Sequence, residues 1–223
     1  MEENTSNANN STTPPTQYSQ STRPERSHHT KRALGDVLSI ILIFAVAGTL
    51  AFALIAFVFQ SYQVDGPSME NTLQNNDRLI VWKVPRTWAR LTGSQYVPNR
   101  GDIIIFNEDN LAEFGQPSIK QLVKRVIGLP GDRVVVSGGV VTIYNKEHPE
   151  GFQPDKTLPY GQEHAMPYTS GDIDLTLDNT HIFVCGDNRT DSLDSRAFGP
   201  VALDNIIGKL VLRMYPLNTL ERF

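Results

Sequence analysis

Ser68 stands in VDGPSMENTL (Val64–Leu73), with a glycine two residues before it and a methionine after it. A serine hydroxyl is a weak nucleophile at its own pKa. It attacks a carbonyl only with a base beside it, most often histidine but also a lysine held neutral. The histidines suit that role poorly: His28 and His29 lie in a polar N-terminal tail, His148 and His164 in a polar stretch, and His181 at the start of an expected strand. No HExxH or paired His/Cys spacing calls for a metal, and no motif calls for a cofactor. The single cysteine, Cys185 in HIFVCGD, reads as a small buried hydrophobe rather than a reactive thiolate.

Lysine has the better case. In KQLVKRVIG (Lys120–Gly128), strand alternation puts Lys124 on the same face as Leu122 and Val126. Burial on that face disfavours the ammonium form and lowers its pKa from about 10.4; a drop of about two units is roughly 2.7 kcal/mol against the charged form. Lys120 shares the parity of Lys124, so alternation cannot separate them. A lysine that snorkels outward along an apolar surface fits the same pattern.

These side chains need a scaffold and a location. Residues 1–33 are rich in Asn, Ser, Thr and Pro and nearly empty of large apolar side chains, which predicts a disordered tail. Val37–Phe59 carries no charge. As a helix it reaches about 34 Å, enough for a hydrocarbon core of about 30 Å. It is longer than the apolar region of a cleaved leader and predicts a retained transmembrane helix over 34–60. Arg23, Arg26, Lys31 and Arg32 precede the span while Asp65 and Glu70 follow it, so the positive-inside bias places the N-terminus in the cytoplasm and residues 61–223 outside.

Beyond the span, DRLIVWKV, GDIIIFN, KQLVKRVIG, DRVVVSGGVVTIYN, THIFVCGD and GKLVLRMYP are short runs of β-branched and aromatic residues set off by Gly, Pro, Asn and Asp. They predict a mostly β domain, an antiparallel sheet closed as a barrel or sandwich, with a tight hairpin at Gly138-Gly139. Residues 146–170, rich in Pro, Gly and polar side chains, read as a loop excursion or small subdomain. Trp82, Trp88 and Leu91 suit either the lipid headgroup region or ordinary packing. A net charge of −4, with no basic patch interleaved with aromatics, argues against nucleic acid as a partner.

Taken in order, the apolar span, VDGPSMENTL with DRLIV beyond it, RGDIIIF, KRVIGLPGDRV and GDNRTDSLDSRAFGPV resemble the bacterial type I signal peptidases, over Leu34–Pro216. The resemblance implies a membrane-bound serine endopeptidase with a Ser/Lys dyad that removes signal peptides from exported preproteins. It is expected to be a single-pass monomer in the bacterial cell membrane, without metal or cofactor. Ser68 would be the nucleophile and Lys124 the general base, with Ser192 orienting the lysine amine by a hydrogen bond. Asp194, Arg196 and Arg125 would hold the site together. The backbone N–H groups of Ser68 and Gly66 would serve the oxyanion, and Val64, Met69, Leu73, Leu122 and Val123 would line shallow pockets for small substrate side chains. Asn71 stands where many members carry proline, which is expected to loosen the turn. Gly66 stands where some carry a hydroxyl, which leaves the second oxyanion donor open. Two other readings stay open at this point: a serine/lysine peptidase with a different target, and an anchored β domain that binds peptides without cutting them.

Overall fold

The computed structural model describes residues 28–109, 111–115, 120–164 and 166–223, and the chain divides into two units, Met1–Gly48 and Thr49–Phe223. The expected disordered tail lies outside the described residues up to residue 27, while its last residues, 28–33, are helical instead. Helix α1 (His28–Ala53) contains the apolar stretch Asp36–Ala53, which is long and apolar enough to cross a membrane and has none of its residues buried. Leu38, Ile41, Phe44 and Phe52 are all exposed along it. The expected helix to residue 60 ends sooner. A single π-helical turn (Leu54–Val58) follows α1, and Phe59 and Gln60 already belong to strand β1 (Phe59–Gln63), where FQSYQ alternates exposed and half-buried positions. That alternation is a strand period, hidden at its start by the apolar run that runs into it.

In Thr49–Phe223 the sheet is antiparallel throughout. Its strands are β1, β2 (Arg78–Trp82), β3 (Ile103–Glu108), β4 (Lys120–Gly128), β5 (Arg133–Ser137), β6 (Val140–Tyr144), β7 (Ile173–Thr176), β8 (His181–Cys185), β9 (Val201–Ala202), β10 (Ile206–Tyr215) and β11 (Glu221–Arg222). The larger sheet runs β1-β2-β10-β3-β4-β8-β9, with β11 added on β10, and the smaller one runs β6-β5-β7. All six apolar runs singled out in the sequence form strands, as β-branched side chains favour. The hairpin joining β5 and β6 pairs Ser137 with Val140, leaving Gly138 and Gly139 as its two loop residues at φ 60° and 85°. Those left-handed angles are what a tight hairpin turn asks for.

Among the described residues of this unit there are four apolar clusters, the smallest being Val81, Ile105 and Ile207. Ile104, Phe106, Val126, Ile182 and Val184 form one against Val201, Leu203 and Ile206. Val64, Met69, Leu73, Leu79, Ile103 and Leu210 form a second, at the base of the Ser68 turn. The third joins Val134, Val136, Val141 and Ile143 of the small sheet to Tyr160, Phe183 and Cys185. Residues 146–170 contain two short helices, α2 being Val84–Thr92 earlier in the chain and these being α3 (Pro154–Thr157) and α4 (Pro159–Glu163). Phe152, Leu158 and Met166 pack on the third cluster, so the excursion is part of the core rather than a free loop.

Candidate active site

The turn that carries Ser68 is tied down from within. Glu70 N–H donates to Pro67 O, Leu73 N–H donates to Met69 O, and the loop's base is closed by Val64 N–H donating to Asp77 O and Asn76 N–H donating to Val64 O. Asn71 adopts φ 81°, a left-handed angle that asparagine tolerates and that proline, fixed near −65°, cannot reach. The absence of proline therefore does not loosen this turn; the turn has a geometry that excludes it.

Strand β4 brings the base. Lys124 Nζ donates to Ser68 Oγ at 2.7 Å and to Val123 O at 3.0 Å. Lys124 is 3% exposed, opposite Ile104 in the β3–β4 register. Burial lowers its pKa to about 8; the carboxylates of Asp194 and Asp187 oppose that shift and Lys120 assists it. The two lysines of equal parity are thus separated: Lys124 is buried against the serine, whereas Lys120 is half-buried and paired with Glu108 at the far end of β4. His181 is taken up by Asp178 and Thr180.

The loop after β8 closes over the pair. Asn188 N–H donates to Ser68 O at 3.1 Å and its side-chain amide to Pro67 O at 3.2 Å. Gly186 N–H donates to Asp194 Oδ2 at 2.9 Å, and Asp194 accepts two further bonds from the Arg196 guanidinium. Burial would raise the Asp194 carboxyl, but the Arg196 bonds outweigh it and hold the group below its usual range. On the other side of the lysine, Arg125 donates two bonds to Asp187, and Thr72 Oγ1 donates to Asp187 Oδ2 at 2.6 Å. These partners are buried, so each charge has a bonded counter-charge, as low-dielectric surroundings demand.

The family described as "Signal peptidase, peptidase S26" matches residues 37–215. The chain belongs to that family. A signal peptidase I of Leptolyngbya laminosa is 34% identical over 191 residues, covering 85% of this chain and 85% of its own. Signal peptidase I U of Bacillus subtilis (strain 168) is 33% identical over 189 residues, covering 83% and 89%. A crystal structure of a signal peptidase I from Enterococcus faecalis V583 aligns with 51% of this chain and 97% of its own at TM-score 0.38 and 27% identity.

Against the family's pattern, the structure brings most of the expected residues together and redirects others. Ser192 Oγ is buried and has no hydrogen-bond partner among the described residues, so the expected bond to Lys124 is not formed here. The Gly66 N–H is already donated to Asn75 Oδ1 at 3.0 Å, and so is not a free oxyanion donor in this structure. The Ser68 N–H has no such partner among the described residues. Met69 and Leu73, expected at the substrate, are fully buried in the second apolar cluster, because the tight turn directs them beneath it. Val64, Leu122 and Val123 do line a groove of about 90 Å³ at Ser68 and Lys124, together with Tyr62, Gln63, Asp65, Leu79, Ile105, Gln121 and also Lys120.

That groove lies between two open strand edges. Among the described residues, strand β1 pairs only with β2, and β8 pairs with β4 only from Arg125 to Gly128, so no described strand pairs with Lys120–Lys124 on that side. Asp187, Arg189, Thr72 and Asn188 surround the Ser68–Lys124 pair through hydrogen bonds and have no role assigned from the sequence. Three of them sit in or beside the quoted GDNR run, and that proximity was the available signal.

Proposed function

We infer that this chain is a serine endopeptidase that removes signal peptides from exported preproteins, with Ser68 as nucleophile and Lys124 as general base. The observation that carries this reading is the 2.7 Å contact between Ser68 Oγ and an amine whose burial brings its pKa to about 8. Neutral Lys124 takes the Ser68 proton as the oxygen bonds to the scissile carbonyl carbon. The resulting oxyanion is met by the Ser68 N–H, and losing one such donor typically costs about 10²- to 10³-fold in rate. The Lys124 ammonium then protonates the leaving amine as the C–N bond breaks. Water, activated by the same amine, hydrolyses the acyl-enzyme.

An extended substrate fits the groove by strand addition: main-chain bonds to the free edges of β1 and β4 supply affinity, and Val64, Leu122 and Val123 leave room only for small side chains. The anchor has a purpose in the same scheme. A signal peptide's apolar region sits in the bilayer, so a site tethered at the surface meets its cleavage point at high effective concentration. Arg23, Arg26, Lys31 and Arg32, ahead of the apolar stretch, support an orientation with the N-terminus inside and the catalytic unit outside. The deciding experiment is cleavage of a purified preprotein in detergent micelles together with labelling by a serine-directed acylating probe. Wild type cleaves and is labelled, and Ser68→Ala does neither. A Ser68→Ala protein that still cuts removes Ser68 from the reaction, and a wild type that binds preproteins without cutting any favours a binding module.

Part of the surface of the catalytic unit also meets lipid in this reading. Trp88 and Leu91, one turn apart on α2, are 65% and 79% exposed, and Trp82 pairs with Phe59, the first residue of β1. The Lys83 N–H bonds Val58 O, which fixes the start of α2 to the end of the π-turn. With only two tryptophans in the chain, Trp82→Phe leaves Trp88 as the sole reporter. In proteoliposomes its fluorescence is expected to be quenched by brominated acyl chains; emission unaffected by bromination would place α2 in water.

A further inference from the structure

Resting on the Ser68/Lys124 reading, we infer that Asp155, in the excursion over residues 146–170, is a positioning residue for the reaction and acts through Arg189. Arg189 has a fully buried side chain, and its guanidinium is spent in three directions. It makes a two-pronged ion pair with Asp155, with Nη2 donating to Oδ1 at 2.7 Å and Nη1 bonded to Oδ2. Nη1 also donates to Thr169 Oγ1 at 2.9 Å, and Nε donates to Gly186 O at 3.1 Å. The Arg189 carbonyl in turn accepts from Arg196 Nη1 at 2.7 Å.

Gly186 is the hinge between this pair and the chemistry. Its N–H is held by Asp194 and its carbonyl by Arg189, while its Cα lies so near the Ser68 carbonyl and the Ser192 side chain that a Cβ would come within 2.3 Å of the former and 2.2 Å of the latter. The peptide that sets the height of the nucleophile's backbone is therefore clamped at both ends, and Asp155 fixes one clamp. A guanidinium buried without its carboxylate has to move toward other acceptors or toward water. Asp155 is itself aimed, since Tyr160 Oη donates to its Oδ1 at 2.8 Å. Tyr160 makes a second link from the excursion to the site: the Arg125 guanidinium that holds Asp187 lies 4.4 Å from its ring centre. The excursion thus touches the dyad's supports at Arg189 and at Arg125, while none of its described residues lines the groove at Ser68. An effect on the chemical step with none on substrate capture is the expected signature.

The test uses the full-length chain in detergent micelles with a purified preprotein, comparing wild type, Asp155→Asn, Thr169→Val and Ser68→Ala. Asp155→Asn keeps the shape but removes the charge. Its kcat is expected to fall about 10- to 100-fold, the scale of a small misplacement at a reacting atom, with KM within about twofold of wild type. The rate of acylation by the serine-directed probe is expected to fall by the same factor. Thr169→Val removes one neutral bond to Arg189, and a smaller fall in kcat, about fivefold, is expected with KM again unchanged. If Asp155→Asn does not fold, Thr169→Val decides. A folded Asp155→Asn with wild-type kcat, a change confined to KM, or a loss that only follows the unfolded fraction seen by circular dichroism overturns the inference, as does an unaltered Thr169→Val. Cleavage retained by Ser68→Ala would instead overturn the reading beneath it, so the two failures are distinguishable.

Discussion

Lys124→Met is expected to lose preprotein cleavage by about 10²- to 10⁴-fold, the usual contribution of a positioned proton acceptor, and at the same time to unfold at a higher temperature than wild type near pH 7. Both results follow from the same burial. The folded-state pKa of about 8 lies below the ordinary value of 10.5. Between those values the unfolded chain holds a proton that the folded chain has released, so wild-type stability rises with pH across that window. Below about pH 8 the folded protein must carry a buried ammonium, at a cost of about 3 kcal/mol. Methionine fills a similar volume without that charge and recovers most of it. Its advantage in thermal unfolding is expected to be full at pH 6.5 and nearly gone by pH 10.5. Wild-type cleavage is expected to rise through a limb centred near pH 8 as the amine loses its proton. Lys120→Ala should remain active, with the limb displaced upward because Lys120 helps to lower the Lys124 pKa. A flat profile between pH 6 and 9, or cleavage by Lys124→Met, would assign the proton transfer to another group.

That prediction also marks how far the sequence could be read. The strands declare themselves locally, since runs such as IIIF in β3 and RVVVS in β5 carry their propensity in consecutive residues. Strand β1 does not: FQSYQ begins inside an apolar run whose helical reading is equally good until β2 pairs with it. The dyad was legible as two residues in recognisable boxes, but choosing Lys124 over Lys120 by periodicity was impossible, because both point to one face and only the approach of the Ser68 turn buries one of them. Met69 and Leu73 show the opposite failure. The family resemblance implies contact with substrate for both, whereas a turn with Asn71 at φ 81° sends them into the core. The Arg189–Asp155 pair joins residues 34 positions apart, and no local pattern in either segment announces a partner at that distance. What was least legible is thus what depends on chain reversal between distant segments.

Gly186 is where those distant segments meet, and Gly186→Ala is expected to cost about 10²-fold or more in kcat together with about 1–3 kcal/mol of stability. The added methyl would lie 2.2 Å from Ser192 Oγ and 2.3 Å from Ser68 O. A serine side chain can rotate away, but Ser68 O is main chain and is already bonded to the Asn188 N–H at 3.1 Å. Relief must therefore come from displacing either the Ser68 peptide, which carries both the nucleophile and its free N–H, or the Gly186 peptide, which Asp194 and Arg189 hold from opposite ends. Neither movement leaves Oγ at 2.7 Å from Lys124 Nζ with the same alignment. The two contacts can be separated by working in a Ser192→Ala background, where the side-chain clash is gone and only the main-chain one remains. Adding Gly186→Ala there is still expected to lower kcat about 10²-fold relative to Ser192→Ala alone. Equal rates for that single and double variant would mean that the nucleophile's backbone yields to a methyl group at no cost to catalysis, and the clamp on Gly186 would then have no part in holding the dyad.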